Sequence, residues 1–218
     1  MSLFVKLSYQ SRKRKLQLFY ELTKPSASSK VLDIGAEVNP EGKRGLQLID
    51  GYKWKRQLYA VNLSAKHIDS ICKHYPQIKV KVADACDLPW PDKYFDIIYS
   101  NAVIEHVGSI ERQKKMASEI MRVGKNWFVT TPNRWFPFEF HLRLPFVTWL
   151  PGNAYLRVGQ IISYNHLKKR YCLGMKHNGL NLLSSKQMKI LFPTSKIIKQ
   201  RITFIPETLI AVGGEMQL

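Results

Sequence analysis

Val31-Leu32-Asp33-Ile34-Gly35 is a short apolar run with an acid inside it and a glycine closing it. Apolar runs of this length, bounded by turn residues, read as buried strands of a parallel sheet. The segment KPSASSK over 24–30 supplies the turn before it. A carboxylate near the end of a buried strand is costly unless it is hydrogen-bonded or meets a ligand. Gly35 then lets the backbone turn sharply or approach a ligand closely.

Outward from that stretch the chain alternates strands with helices. Before it, residues 9–22 (YQSRKRKLQLFYEL) run from a basic cluster into Leu16, Leu18, Phe19 and Leu22. They read as an amphipathic helix across the rim of the domain, within an N-terminal cap over 1–29. After it, Asn39-Pro40-Glu41-Gly42 marks a loop and 44–52 a short helix. QLYAVNL at 57–63 is the second strand, and Ser64 is a helix N-cap for 65–75, which Pro76 ends. IKVKVA at 78–83 is the third strand, ending at Asp84. FDIIY at 95–99 is the fourth. A helix over 109–123 follows, with Ile110, Ala117, Ile120 and Met121 on one face; WFVT at 127–130 is the fifth strand, stopped by Pro132.

This alternation predicts an α/β fold with a Rossmann-like, doubly wound, mostly parallel sheet. Near the end, 184–191 reads as a helix capped by Ser184 or Ser185. Strands at 196–204 and 207–212, around Pro206, predict an antiparallel hairpin at the sheet edge. Residues 132–183 break the alternation. They begin PNRWFPFEFHLRLPFVTWLP and turn basic at Lys168-Lys169-Arg170, and they read as an insertion covering a ligand site within one domain over 1–218. Asp33, Asn62, Asp84 and Asn101 fall at strand carboxyl ends, where such sheets bind ligands.

Composition narrows the class. With 45% hydrophobic and 23% charged residues, the 218-residue chain is a soluble globular protein rather than a disordered one. Cys72, Cys86 and Cys172 lack metal-ligand spacing, so they read as reduced thiols in a cytosolic setting, and no metal site is expected. The start MSLFVKLSYQSRKRK lacks the apolar core of a secretory signal, and no run approaches the roughly 20 residues that span a bilayer. The expected location is therefore cytoplasmic. The net charge of +18 favours anionic partners, and residues 121–218 hold 14 basic residues against only Glu139, Glu207 and Glu215.

At this point the order of motifs resembles a class I S-adenosylmethionine-dependent methyltransferase, of the small bacterial-type, type 11-like branch. VLDIG resembles the first motif of that family. DACDLPWPDKYFDIIYSNAVIEHV, over 84–107, resembles the third and fourth, and TTPNRWFPFEFH adds specificity. The resemblance covers most of 14–214 and implies S-adenosylmethionine as cofactor. By that likeness Asp33 and Gly35 would stand near the methionine part and Asn62 near the ribose, with Ala36 and Glu37 in the cofactor-binding loop after Gly35. Leu63 would pack on the adenine, Asp84 would accept its amino group and the Ala85 backbone would meet the ring edge. Ser100 and Asn101 would line the methionine side and the substrate mouth. Two departures matter: the family's further glycines are replaced by Ala36-Glu37, and its acid at the ribose is Asn62, an amide without the charge that strengthens such bonds. Glu37 could take over part of that role.

Glu105, His106 and His141 are the candidate acid–base groups, because a histidine titrates where a hydroxyl can be deprotonated. Glu105-His106 at a strand-to-helix turn also suits a loop-fixing role, and His141 amid Phe140, Leu142 and Leu144 also suits a core histidine. No Asn-Pro-Pro-Tyr motif follows the fourth strand, so amino methylation of DNA bases or glutamine is not supported. The expected reaction is methyl transfer to an oxygen or nitrogen of a small-molecule or lipid- or glycan-linked substrate. The aromatic insertion and basic excess add a peripheral contact with an anionic inner membrane face. An RNA methyltransferase and a catalytically inactive methyltransferase-fold binding protein are the alternatives. Nucleic acid is the weaker partner, since no RNA-binding module is legible.

Overall fold

Residues 3–38, 46–139, 141–151, 154–165, 168, 170–174, 179–201 and 204–216 are described by a computed structural model. The opening basic stretch is helical from Leu3 to Thr23 (α1), longer than the 9–22 read from sequence. Val31–Ile34 forms β1, Leu48–Gly51 the short α2, Leu58–Asn62 β2, Ala65–His74 α3 and Lys79–Val82 β3. Phe95–Asn101 is β4, Ile110–Val123 is α4 and Gly124–Pro132 is β5. The loop at 39–42 and Phe140 lie outside the described residues.

The remaining elements begin with two short pairs in the insertion. Phe138–Glu139 (β6) pairs with Leu144–Pro145 (β7). After helix Ala154–Ile161 (α5), Ile162–Asn165 (β8) pairs with Arg170–Leu173 (β9). Ser185–Leu191 (α6), Lys196–Gln200 (β10) and Thr208–Gly214 (β11) close the chain. A capping box starts α6, with the Ser184 hydroxyl accepting from the Gln187 amide and the Gln187 side chain accepting from the Ser184 amide.

The seven-stranded sheet has the order β10-β11-β5-β4-β1-β2-β3. Neighbours from β3 to β5 run parallel, and β11 runs antiparallel to both β5 and β10. The terminal hairpin forms one edge of the sheet as expected, with β10 outermost and β11 between β10 and β5. The sequence of β11 explains the position. Leu209 and Ala211 join the core on one face, and Ile210 and Val212 join the core on the other. A strand buried on both sides needs a neighbour at each edge. The first strand of the hairpin also stops at Gln200 rather than reaching 204.

Alternation along the strands builds the two cores. Leu32, Ile34, Ile98 and Trp127 pack under α4 and α6, while Val31, Ala60, Tyr99 and Phe128 pack under α1, α2 and α3. Phe19 of α1 is fully buried, with its ring edge-on to Tyr99 at 5.2 Å and to Phe128 at 5.7 Å. On α4 the buried face is Gln113, Met116, Ala117, Ile120 and Val123, whereas Ile110 is exposed. The expected stripe through Ile110 is thus rotated, with Ile110 at the first position of the helix. Ser64 takes the extended cap conformation before α3 without a side-chain capping bond; its hydroxyl is not needed, because its carbonyl accepts from His67 and Ile68.

Candidate active site

Strand order reverses at β1, which has β2 on one side and β4 on the other, and a cleft opens at their carboxyl ends. Gly35 makes its floor. Its φ is +79°, its amide donates to the Val61 carbonyl at 2.8 Å, and an added Cβ would stand 2.3 Å from Val103 Cγ2. Only a residue without a side chain fits. Ala102, across the floor, also holds a positive φ of 57°, fixed by its amide on the Thr130 carbonyl at 2.9 Å. Strained backbone of this kind is held where the surroundings over-determine it.

The cavity measures about 580 Å³, and Gly35, Glu37, Asn62, Leu63, Asp84, Ala85 and Asn101 line it. These are seven of the residues the sequence assigned to a cofactor. The Asn62 side chain donates to the Ala36 carbonyl at 2.9 Å and accepts the Ser64 amide at 2.9 Å, so it ties the loops after β1 and β2 together. Glu37 sits 3.6 Å from His67 Nδ1. Leu63 is 71% exposed and offers an apolar surface at the mouth. Asn101 accepts from the Thr130 hydroxyl at 2.8 Å.

Asp84 accepts the Cys86 amide at 2.9 Å and Arg112 Nη2 at 2.8 Å. Burial alone would raise its pKa, but these bonds, Arg112's first, hold it below the usual carboxylate range. The remaining lone pairs of a carboxylate can still accept a donor from the cleft.

Asp33, Ala36 and Ser100 lie beneath the cleft rather than on its wall. Asp33 is buried, on the face under α1 to α3, and burial with the nearby Asp50 charge pushes its pKa up. Ala36 contributes its carbonyl to Asn62. Ser100 is fully buried, and its hydroxyl has no hydrogen-bond partner among the described residues.

The three candidate acid–base groups, 36 positions apart at the extremes, come together. Glu105 is fully buried in the turn after β4, with the Thr131 hydroxyl donating to its Oε2 at 2.9 Å. His106 and His141 line the cleft with rings edge to face at 4.8 Å. His106 Nε2 stands 4.0 Å from Glu105 Oε1, and His141 Nδ1 is 2.7 Å from Glu139 Oε1. The Leu142 amide also donates to Glu139. Burial raises Glu105 to about 6. Burial, then the neighbouring His141, lowers His106 to about 4. For His141 burial works against the charge, but Glu139 wins and its pKa rises. At neutral pH the site therefore holds a neutral imidazole beside one inclined to carry a proton, which suits proton transfer.

Arg12, Gln47 and Arg112 also line the cleft, and the sequence reading passed over them. Arg12 belongs to SRKRK, where a run of charges reads as a solvated face, and Arg112 to ERQKK, where the same holds. Glu139 was legible only as a charge within an aromatic stretch, since its contact with His141 depends on the insertion's own folding.

Comparison with known proteins agrees with this picture. Residues 42–127 match the family model of a methyltransferase domain. A probable S-adenosylmethionine-dependent methyltransferase of Mycobacterium tuberculosis is 30% identical over 79 residues, 36% of this chain. The match takes in 29% of that relative, so this chain spans less than a third of the length of the curated relatives it matches. Among solved structures, the PH0226 protein of Pyrococcus horikoshii has a TM-score of 0.59 at 17% identity, covering 94% of this chain and 89% of that one. An S-adenosylmethionine-dependent methyltransferase of Clostridium acetobutylicum has a TM-score of 0.59 at 9% identity, covering 94% and 90%. Phosphoethanolamine N-methyltransferase 2 of Haemonchus contortus, solved with S-adenosyl-L-methionine, has a TM-score of 0.55 at 15% identity, covering 86% and 38%. The sheet order and the cleft at the switch point share the fold of these structures, and residues 42–127 are similar to a methyltransferase domain.

Proposed function

We propose that this chain transfers the methyl group of S-adenosylmethionine to an oxygen or nitrogen of a small-molecule or lipid- or glycan-linked acceptor. The observation that carries the reading is the placement of Glu37, Asn62 and Asp84 on three successive loops around one cleft, with Leu63 exposed beside them. The cleft's volume is that of a small-molecule or cofactor site. Asp84 and Ala85 would hold the adenine edge, Leu63 its face, Asn62 and Glu37 the ribose, and Gly35 the methionine part. Bound there, the cofactor supplies an electrophilic sulfonium methyl. The chain's contribution is positioning, with the neutral imidazole of His106 taking the proton when the acceptor is a hydroxyl.

The lipid-linked side of this reading is supported by the insertion. Trp135 is 54% exposed, Phe146 57% and Trp149 49%, in the half of the chain where basic residues outnumber acids most. Aromatic side chains favour the headgroup layer, and each basic residue near an acidic leaflet adds about 1 kcal/mol. Among the described residues no helix is long and apolar enough to cross a membrane, so the contact proposed is peripheral. Labelled S-adenosylmethionine offered with total lipid and with water-soluble extracts tests the reaction: label is expected in an extracted product, and label in neither fraction refutes the acceptor class. Co-sedimentation with acidic but not neutral vesicles at low salt is expected, and absence from both pellets overturns the membrane contact.

A further inference from the structure

Glu105, His106 and His141 each turn one ligand atom toward the same point, and these atoms lie within 4.8 Å of one another. Glu105 brings Oε1, which is buried and has no hydrogen-bond partner among the described residues, while Oε2 is fixed by the Thr131 hydroxyl. A buried carboxylate oxygen without a donor is costly unless a cation meets it. The nearest imidazole atom, His106 Nε2 at 4.0 Å, is too distant for a hydrogen bond and near enough for one ion to bridge. His141 shows a second, independent feature: its Nδ1 is 2.7 Å from the buried Glu139 carboxylate, itself held by the Leu142 amide. Metal-ligating imidazoles place a carboxylate on the ring nitrogen that faces away from the metal.

We propose that Glu105, His106 and His141 bind a divalent transition-metal cation of the Zn²⁺ class at the edge of the cleft. Two imidazoles with one carboxylate suit such a cation better than Mg²⁺ or Ca²⁺, which prefer oxygen ligands. Three protein ligands leave positions open, and both imidazoles face the cleft, so those positions open onto it. Ligand atoms sit about 2.0–2.2 Å from zinc, so the three side chains draw in by rotation when the ion enters. An acceptor hydroxyl taken into an open position loses its proton to water more readily. That consequence rests on the methyltransferase reading; the site itself does not.

The test uses the full chain without affinity tag, stripped with chelator, and Co²⁺ and Zn²⁺ as probes. One equivalent of Co²⁺ is expected to bind with visible ligand-field bands, and excess Mg²⁺ is expected to leave them unchanged. His106→Ala and His141→Ala are expected to weaken binding at least tenfold, and Glu139→Gln by about 10- to 100-fold. In the unaltered chain, Zn²⁺ is expected to shift the imidazole NMR signals of His106 and His141 among the 6 histidines. No saturable Co²⁺ binding, or signals of other histidines moving instead, overturns the proposal. S-adenosylmethionine is titrated into the same samples: its binding without cobalt binding removes only the metal site, and the converse removes only the methyltransferase reading.

Discussion

The Asn62 side-chain amide donates to the Ala36 carbonyl at 2.9 Å and thereby locks the loop after β2 to the loop after β1. Asn62→Asp keeps the acceptor for the Ser64 amide but turns an oxygen toward that carbonyl. Stability is expected to fall by about 1–2 kcal/mol, since a donor is lost and an acceptor left facing an acceptor. A lowered denaturation midpoint with an unchanged slope is the expected reading.

Gly35 faces Val103 with no space for a Cβ, at a φ of +79°. Gly35→Ala combines a left-handed backbone cost of about 1–2 kcal/mol with overpacking of about 1–3 kcal/mol. Val103→Ala in the same chain is expected to recover the packing part only. A double-mutant cycle in urea measures that partial rescue.

Arg122 holds the segment before β4 against α4. It forms two bonds to Glu119, one to Asp92, and one each to the carbonyls of Trp90 and Leu88. Arg122→Lys cannot reproduce the planar fork and leaves carbonyls without a donor. A loss of about 2–3 kcal/mol is expected by chemical denaturation.

The Asp84–Arg112 pair fixes the sign of one pH effect. A carboxylate whose folded pKa is depressed adds stability that is present above its unfolded value of about 3.9 and lost as pH falls through the folded value. In Arg112→Ala the Asp84 titration, followed by carboxyl NMR, is expected to move to higher pH. Both side chains are partly exposed and screened by solvent, so the stability change is expected to be small beside the shift in titration.

The frame of the fold was legible because strand and helix periods are local. VLDIG, QLYAVN and FDIIYS each show buried runs, and Ser184 caps the helix after it as read, while the Ser109 cap of α4 was not singled out. The hairpin at the sheet edge was legible from two adjacent strands around Pro206, and the unbroken apolarity of TLIAVGG fits the place of β11 between β10 and β5. At the site, residues at strand ends were found because topology sends strand ends to one side. Arg12 and Arg112 were not, because a basic residue aimed inward looks the same in sequence as one in water. The meeting of His106, His141 and Glu139 depends on how 132–183 folds, and no period in that segment encodes it.

In the function proposed above, the cleft binds S-adenosylmethionine through Asp84 and Leu63. Titration calorimetry on the unaltered chain, Asp84→Ala and Leu63→Ala tests it most directly. One site is expected, with Asp84→Ala weakening it by about 1–3 kcal/mol and Leu63→Ala, at an exposed position, by about 1 kcal/mol. Saturable heat with the same affinity in all three proteins, or no heat in the unaltered chain, would contradict it.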